Sequence, residues 1–293
     1  MLKYICYNWM PTIADHVLDY DEAYYNSAGV ERLHNKKNLN PYEVRDNDLI
    51  FVKTDFIVNG FFQKNYLDKI FRSFNLITGI SSYNLGRDGG DIYKQVLDHP
   101  FLNKWICTNP PDIENDKIIP IPIGFQEPQR PGGNQQFLNT VQENCTPFEK
   151  KENLIFLPYH DISTNPKRKQ LVEYLSDLPF VVTQKTKQSL QDYYDSMNKY
   201  KFIIGLEGRG PDIHRNYEAM LVESVPINIK NIIQKVFQQH NLTTIFLDSW
   251  KDLDEKYFNK MLNMNYNKSK NRSFLNLENH INFIKGNIHG RSN

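Results

Sequence analysis

Between residues 154 and 247 short apolar, β-rich runs alternate with segments of helical spacing, and this alternation limits the fold more than any other feature of the chain. Strands are expected at 154–157, 180–182, 202–205, 225–229 and 244–247, with helices at 165–176, 190–198, 212–223 and 232–239. Asn165-Pro166 supplies an N-cap followed by proline at the first helical position, where its missing N–H costs nothing. Strand, helix, strand in regular succession builds a parallel sheet through right-handed crossovers. The first half follows the same scheme less regularly, with strands at 2–7, 48–53, 74–78 and 105–108 and helical spacing at 62–71 and 92–97. Residues 109–133 are rich in proline and glycine and read as irregular, and 134–152 read as a polar linker. The expected fold class is therefore α/β: two Rossmann-like domains with parallel sheets facing a central cleft. The expected division is 1–150, 151–265 and a helical tail at 266–293, for which packing back on the N-terminal domain is one open arrangement.

Composition narrows the function classes. A chain of 293 residues exceeds the size at which one core stops growing. Its 35 basic and 34 acidic residues leave a formal net charge of +1, without the basic excess of a nucleic-acid binder, so no nucleic-acid partner is expected. Apolar runs are strand-sized, far short of the ~20 residues of a membrane span, and the opening MLKYICYNWM lacks the apolar core of a signal peptide. Cys6, Cys107 and Cys145 lie far apart, which fits a cytoplasmic or other reducing compartment and no metal spacing. The eight histidines form no ligand pair, so no metal is expected. Asp19-Tyr20-Asp21 follows no expected strand and reads as a pair of solvated loop acids.

The segment FIIGLEGRGPDIHRNYEAMLVESVPINIK carries the candidate chemistry. Gly205, Gly208 and Gly210 follow a strand, and open α/β sheets bind ligands beyond the carboxyl ends of their strands. Glycine lets a backbone bend sharply and come close to a ligand. A helix headed by Asp212 would aim free N–H groups into the same space, a field that suits phosphate. Arg209 and Arg215 can add forked hydrogen bonds to phosphate oxygens. His214, Arg215 and Glu218 share one helix face, and a carboxylate at Glu218 can accept hydrogen bonds from paired ribose hydroxyls. The spacing is neither the dinucleotide fingerprint nor a nucleotide-triphosphatase loop. On spacing alone a tight turn with a surface Arg215–Glu218 ion pair remains an equal alternative.

The wider stretch KYKFIIGLEGRGPDIHRNYEAMLVESVPINIK resembles the signature of exostosin-like glycosyltransferases. The matching positions are Phe202, Gly208, Gly210, Asp212, His214, Arg215, Tyr217, Glu218, Ala219, Pro226 and Ile227. Downstream IFLDSWKDL is similar to the family's strand with a Trp-acid pair, and upstream NPKRKQLVEYL places Arg168 where a donor-facing arginine is common. LIFVKTDF, FNLITGISS and WICTNPPDIENDKIIPIPIGF resemble acceptor-side strands. The chain departs from the pattern at Leu206-Glu207, at Glu223-Ser224-Val225 and at Gly79-Ile80-Ser81, so the donor end is better supported than the acceptor end.

The resemblance implies a glycosyltransferase-B fold and transfer of a sugar from a nucleoside-diphosphate sugar, with uridine diphosphate the family's habit, to a glycan or other hydroxyl acceptor. It implies a metal-independent reaction with no required cofactor, and an inverting single displacement is expected because no buried nucleophile stands out in the sequence. The donor-binding set is then Arg168, Gly208, Arg209, Gly210, Asp212, His214, Arg215 and Glu218. The base is a carboxylate, with Asp55 and Glu207 the first choices and Asp88 a third. The competing reading is a non-catalytic sugar-nucleotide or glycan-binding module.

Overall fold

The computed structural model describes residues 2–29, 32–36, 38–163, 165–266 and 268–288. The fold is α/β with two five-stranded parallel sheets, each the centre of a Rossmann-like domain. By contacts the chain separates into one unit of Met1–Ile123 with Leu277–Asn293 and a second of Gly124–Asn276.

In the first unit β1 (His16–Leu18), β2 (Asp48–Lys53), β3 (Phe74–Gly79), β4 (Leu102–Cys107) and β5 (Ile118–Pro120) lie side by side in chain order. The helices α1 (Glu22–Ser27), α2 (Thr54–Val58), α3 (Phe61–Asn65), α4 (Leu85–Gly89) and α5 (Ile92–Leu97) are short. Every residue of β3 is buried, as a parallel strand covered on both faces demands. The polar Thr78 is tolerated there because its hydroxyl takes the Trp105 indole N–H at 3.0 Å. The strand expected at 2–7 reduces to bridges at Tyr4 and Cys6. A turn at 7–8 cuts the run short, and the next residues form a 3-10 turn at Met10–Thr12 containing Pro11, which has no N–H to give a ladder. The edge strand β1 was not expected, because three residues are too few to show a period.

The second unit contains α6 (Gln135–Glu143), β6 (Glu152–Leu157), α7 (Lys167–Ser176), β7 (Val181–Thr183), α8 (Leu190–Met197), β8 (Tyr200–Ile204), α9 (His214–Leu221), β9 (Val225–Ile229), α10 (Ile233–Gln239), β10 (Ile245–Leu247), α11 (Glu255–Leu262) and α12 (Lys268–Phe274). The strand order is β10-β9-β8-β6-β7. The chain runs outward from β6 to β7, crosses back, and continues on the other side through β8. The order therefore reverses between β6 and β8, and the crevice at their carboxyl ends is the topological switch point of the sheet.

Residues 134–152, read from sequence as a linker, contain α6 and belong to the second unit. Asn134 caps the helix by accepting the Phe137 N–H at 2.9 Å, and the Phe137 ring meets Tyr194 edge-on at 5.4 Å. Lys151 donates to the Asn198 carbonyl at 2.6 Å. One apolar face suffices to hold so polar a segment. At the other end of the chain α13 (Leu277–Ile288) belongs to the first unit, and its first residue donates to the Lys3 carbonyl at 2.9 Å. The expected tail beyond 288 lies outside the described residues. Among the described residues no helix is long and apolar enough to cross a membrane.

Candidate nucleotide site at the switch point of the second sheet

Three segments converge where β6 and β8 end. The first is Tyr159, His160 and Asp161 after β6, the second is the glycine segment after β8, and the third is the start of α9. His160 joins the first two. Its Nδ1 faces the Pro158 carbonyl at 2.6 Å, a group that only accepts, so Nδ1 carries the proton and Nε2 is left to accept the Leu206 N–H at 3.4 Å. Burial, then the nearby Arg215 and Arg168 guanidinia, drive its pKa well below 6.5, and the ring is neutral.

Arg168, expected from the resemblance to face a donor, is turned to the backbone. Its Nε donates to the Glu207 carbonyl at 2.9 Å, its Nη2 to Leu206 at 2.8 Å and its Nη1 to Asp161 at 3.0 Å. The side chain thus clamps the loop after β6 to the loop after β8. Burial, with Arg215 next, lowers its pKa to about 10. Asn165 assists by donating to the carbonyls of Glu207 and Gly208, both at 3.3 Å.

Arg215 stands in the first turn of α9. Its Nε donates to the Tyr193 hydroxyl at 3.0 Å and its Nη2 to the Tyr159 carbonyl at 3.1 Å. The Tyr193 ring lies beneath the guanidinium at 5.7 Å, close enough for a cation–π contact. Burial works against the charge, but Tyr193 and Glu218 outweigh it and the pKa is raised. Glu218, 7 % exposed, accepts the same Tyr193 hydroxyl at 2.6 Å. Arg215 and Glu218 are thus joined through a phenol rather than by a direct ion pair. Tyr193 lies on α8; the tyrosines of QDYYD offer rings for stacking on sugars or bases, and in the structure the Tyr193 hydroxyl joins Arg215 to Glu218.

Asp212 does not cap α9. Ile213 holds the N-cap position and its side chain makes no cap. Asp212 instead accepts the Ile213 N–H at 2.8 Å and takes the buried Tyr217 hydroxyl, which fixes the approach to the helix. His214 Nδ1 pairs with the Gly124 carbonyl at 2.7 Å. Arg209 is exposed, whereas Gly210 is buried.

The chain bends at residues 209–212, Gly210 among them, while Gly205 and Gly208 are held by close packing. None of Gly205, Gly208 and Gly210 is among the positive-φ glycines. A Cβ on Gly205 would stand 2.6 Å from Asn228 Oδ1 and 2.9 Å from Asn216 Oδ1, and one on Gly208 3.3 Å from Arg168 Nη2. Close packing is what requires glycine here.

The three candidate bases have distinct surroundings. The Glu207 carboxylate accepts Asn231 Nδ2 at 2.6 Å. Asp88 takes the Asn84 N–H at 2.7 Å while Asn84 Oδ1 takes the Arg87 N–H at 2.7 Å, a reciprocal cap that occupies it in structure. Asp55 opens α2 at the carboxyl end of β2 in the first unit, 3.8 Å from Lys53. Asp19, expected to be solvated, is 3 % exposed and accepts the Tyr25 hydroxyl at 2.6 Å, and Asp21 caps α1. The burial follows from β1, which precedes Asp19 and carries it to the edge of the sheet.

No protein-family model and no curated protein matches the chain. Among solved structures it is similar to the UDP-GlcNAc 2-epimerase of Methanocaldococcus jannaschii. That likeness has 13 % identity and a TM-score of 0.34, and spans 92 % of this chain and 90 % of the other. It is too loose to carry an argument about activity, and it does not support the exostosin-like family specifically.

Proposed function

We propose that the second unit binds the nucleoside diphosphate of a sugar nucleotide and that the protein transfers the sugar to a hydroxyl acceptor. The observation that carries this reading is the Arg215–Tyr193–Glu218 chain at the switch point of the β6/β8 sheet. A cation at the opening of a helix suits the diphosphate, and a carboxylate one turn further in suits the ribose hydroxyls. Arg168 and His160 hold the loops in place around them.

In the transfer the acceptor oxygen attacks the anomeric carbon, the bond from that carbon to the phosphate oxygen breaks, and the hydroxyl proton passes to a carboxylate. Arg215 and the α9 amides stabilise the departing diphosphate. Asp55 and Glu207 are the carboxylates proposed for the proton.

Calorimetric titration of the full chain with uridine, guanosine and adenosine diphosphates tests the binding step. At least one is expected to bind, and Arg215→Ala is expected to weaken it by tenfold or more. Failure of all three, or full binding by Arg215→Ala, overturns the reading. A screen of sugar nucleotides for hydrolysis and transfer separates an enzyme from a binding module, which leaves the donor intact.

A further inference from the structure

Beyond the edge strand β1 the chain builds a polar cluster that nucleotide binding does not use. Its centre is Asp19, 3 % exposed. Three donors meet that carboxylate: the Tyr20 N–H at 2.7 Å, the Tyr25 hydroxyl at 2.6 Å and His34 Nε2 at 3.4 Å. Burial, then the Asp19 charge, raises the Tyr25 phenol, so it stays a donor. With its Nε2–H turned to the carboxylate, the His34 ring keeps Nδ1 as an acceptor. The His34 side chain is 3 % exposed, and its Nδ1 takes no hydrogen bond among the described residues. Arg32 Nη2 reaches the Lys36 carbonyl at 3.5 Å, whereas its buried Nε has no partner among the described residues. Both side chains line a cavity of about 760 Å³, together with Glu22 and Asn26 of α1 and with Asn35. A buried donor or acceptor without a partner is costly, and two of them on one cavity point to a partner from outside the chain.

We propose that this cavity binds a free α-amino acid as its zwitterion. The charges around it select that ligand. Arg32 supplies donors for a carboxylate, with the Asn26 and Asn35 amides on the same wall. Glu22 and His34 Nδ1 supply acceptors for an ammonium. A phosphate dianion would meet the Glu22 carboxylate, with Asp19 behind His34, and be repelled. A simple amine leaves Arg32 Nε without an acceptor, and a simple carboxylate leaves His34 Nδ1 without a donor. A molecule with an anionic and a cationic group on neighbouring carbons satisfies both. The volume holds such a molecule with its side chain and lies within the range of small-ligand pockets. Amino-acid binding here uses no group assigned to sugar transfer and stands on the first unit alone, so it survives if the nucleotide reading of the second unit fails.

The test is calorimetric titration of the full chain with the common L-amino acids, one at a time. At least one is expected to bind. Its methyl ester lacks the carboxylate charge and its α-hydroxy acid lacks the ammonium, and each is expected to bind tenfold or more weaker. Inorganic phosphate is expected not to compete. Arg32→Gln and Glu22→Gln are each expected to reduce affinity at least tenfold. Glu22 is exposed, so the melting temperature of Glu22→Gln without ligand should stay near wild type. Arg32→Lys keeps the charge and is expected to retain more affinity than Arg32→Gln. Absence of binding by every amino acid, equal binding of the ester or the hydroxy acid, competition by phosphate, or undiminished binding by either glutamine variant would each overturn the proposal.

Discussion

The Tyr193 hydroxyl lies 2.6 Å from Glu218 Oε2 and so ties α8 to α9 at the candidate site. The same oxygen accepts Arg215 Nε at 3.0 Å. Burial first, and Glu218 after it, push the phenol well above its ordinary pKa against the pull of Arg215, so it remains a donor at any ordinary pH. Tyr193→Phe removes both bonds and leaves a buried carboxylate and a guanidinium short of a partner. The expected loss of stability is about 2 kcal/mol by urea denaturation. Nucleoside diphosphate affinity is expected to fall severalfold, because the two groups proposed to meet the ligand lose the oxygen that sets their separation. A variant with wild-type stability and affinity would mean that the phenol positions nothing.

Arg168 yields a prediction of a different kind. Three carbonyls on two loops depend on its guanidinium, and the residue is 8 % exposed. Arg168→Met fills much of the volume but supplies no donor. Asp161 is exposed and Glu207 keeps the Asn165 donor, so the buried Leu206 carbonyl carries most of the loss, expected at roughly 1–3 kcal/mol. Arg168→Lys restores charge without the fork and is expected to recover less than half of that. A loss below about 1 kcal/mol for the methionine variant would show that water replaces the clamp.

Much of the second sheet was legible in the sequence because parallel strands buried on both faces read as short apolar runs, and FIIG and VPINI do so plainly. Arg215 and Glu218 were legible because three residues on a helix place them on one face. Tyr193 and His160 were not. Each is brought to the site by a crossover, from 22 and 55 residues away from Arg215, and no local pattern encodes such a meeting. Arg168 was legible for its charge but its bonds to three carbonyls were not, since a sequence does not show which way a guanidinium turns. The helix at Gln135–Glu143 was hidden because it buries a narrow apolar face and is otherwise polar.

Two glycines offer a paired measurement. Gly205→Ala drives a Cβ to 2.6 Å from Asn228 Oδ1, the oxygen of a 5 % exposed side chain with little room to move. Overpacking of this order is expected to cost about 1–3 kcal/mol. Gly286, inside α13, has nothing within 4 Å of the added carbon. Gly286→Ala is therefore expected to stabilise by about 0.5–1 kcal/mol through helix propensity alone. Thermal or urea unfolding of both variants checks the pair, and equal effects of one sign would contradict the packing assigned to Gly205.

The neutral state of His160 makes stability depend on pH in a defined direction. Its folded pKa lies well below the ordinary 6.5, lowered by burial and then by Arg215 and Arg168. As pH falls through 6.5 the unfolded chain takes up a proton that the folded chain refuses. Folding stability contributed at higher pH is then lost, at up to about 1.4 kcal/mol per pH unit for one such group. His99 and His240, also lowered by burial, act in the same direction. Urea denaturation between pH 7.5 and about 5.5, above the range where carboxylates titrate, isolates the histidines. Stability is expected to fall with pH across that window, and His160→Gln is expected to flatten the slope by the share of one proton. A slope unchanged by the substitution would mean that His160 accepts a proton in the fold, and the pairing of its Nε2 with the Leu206 amide would have to be abandoned.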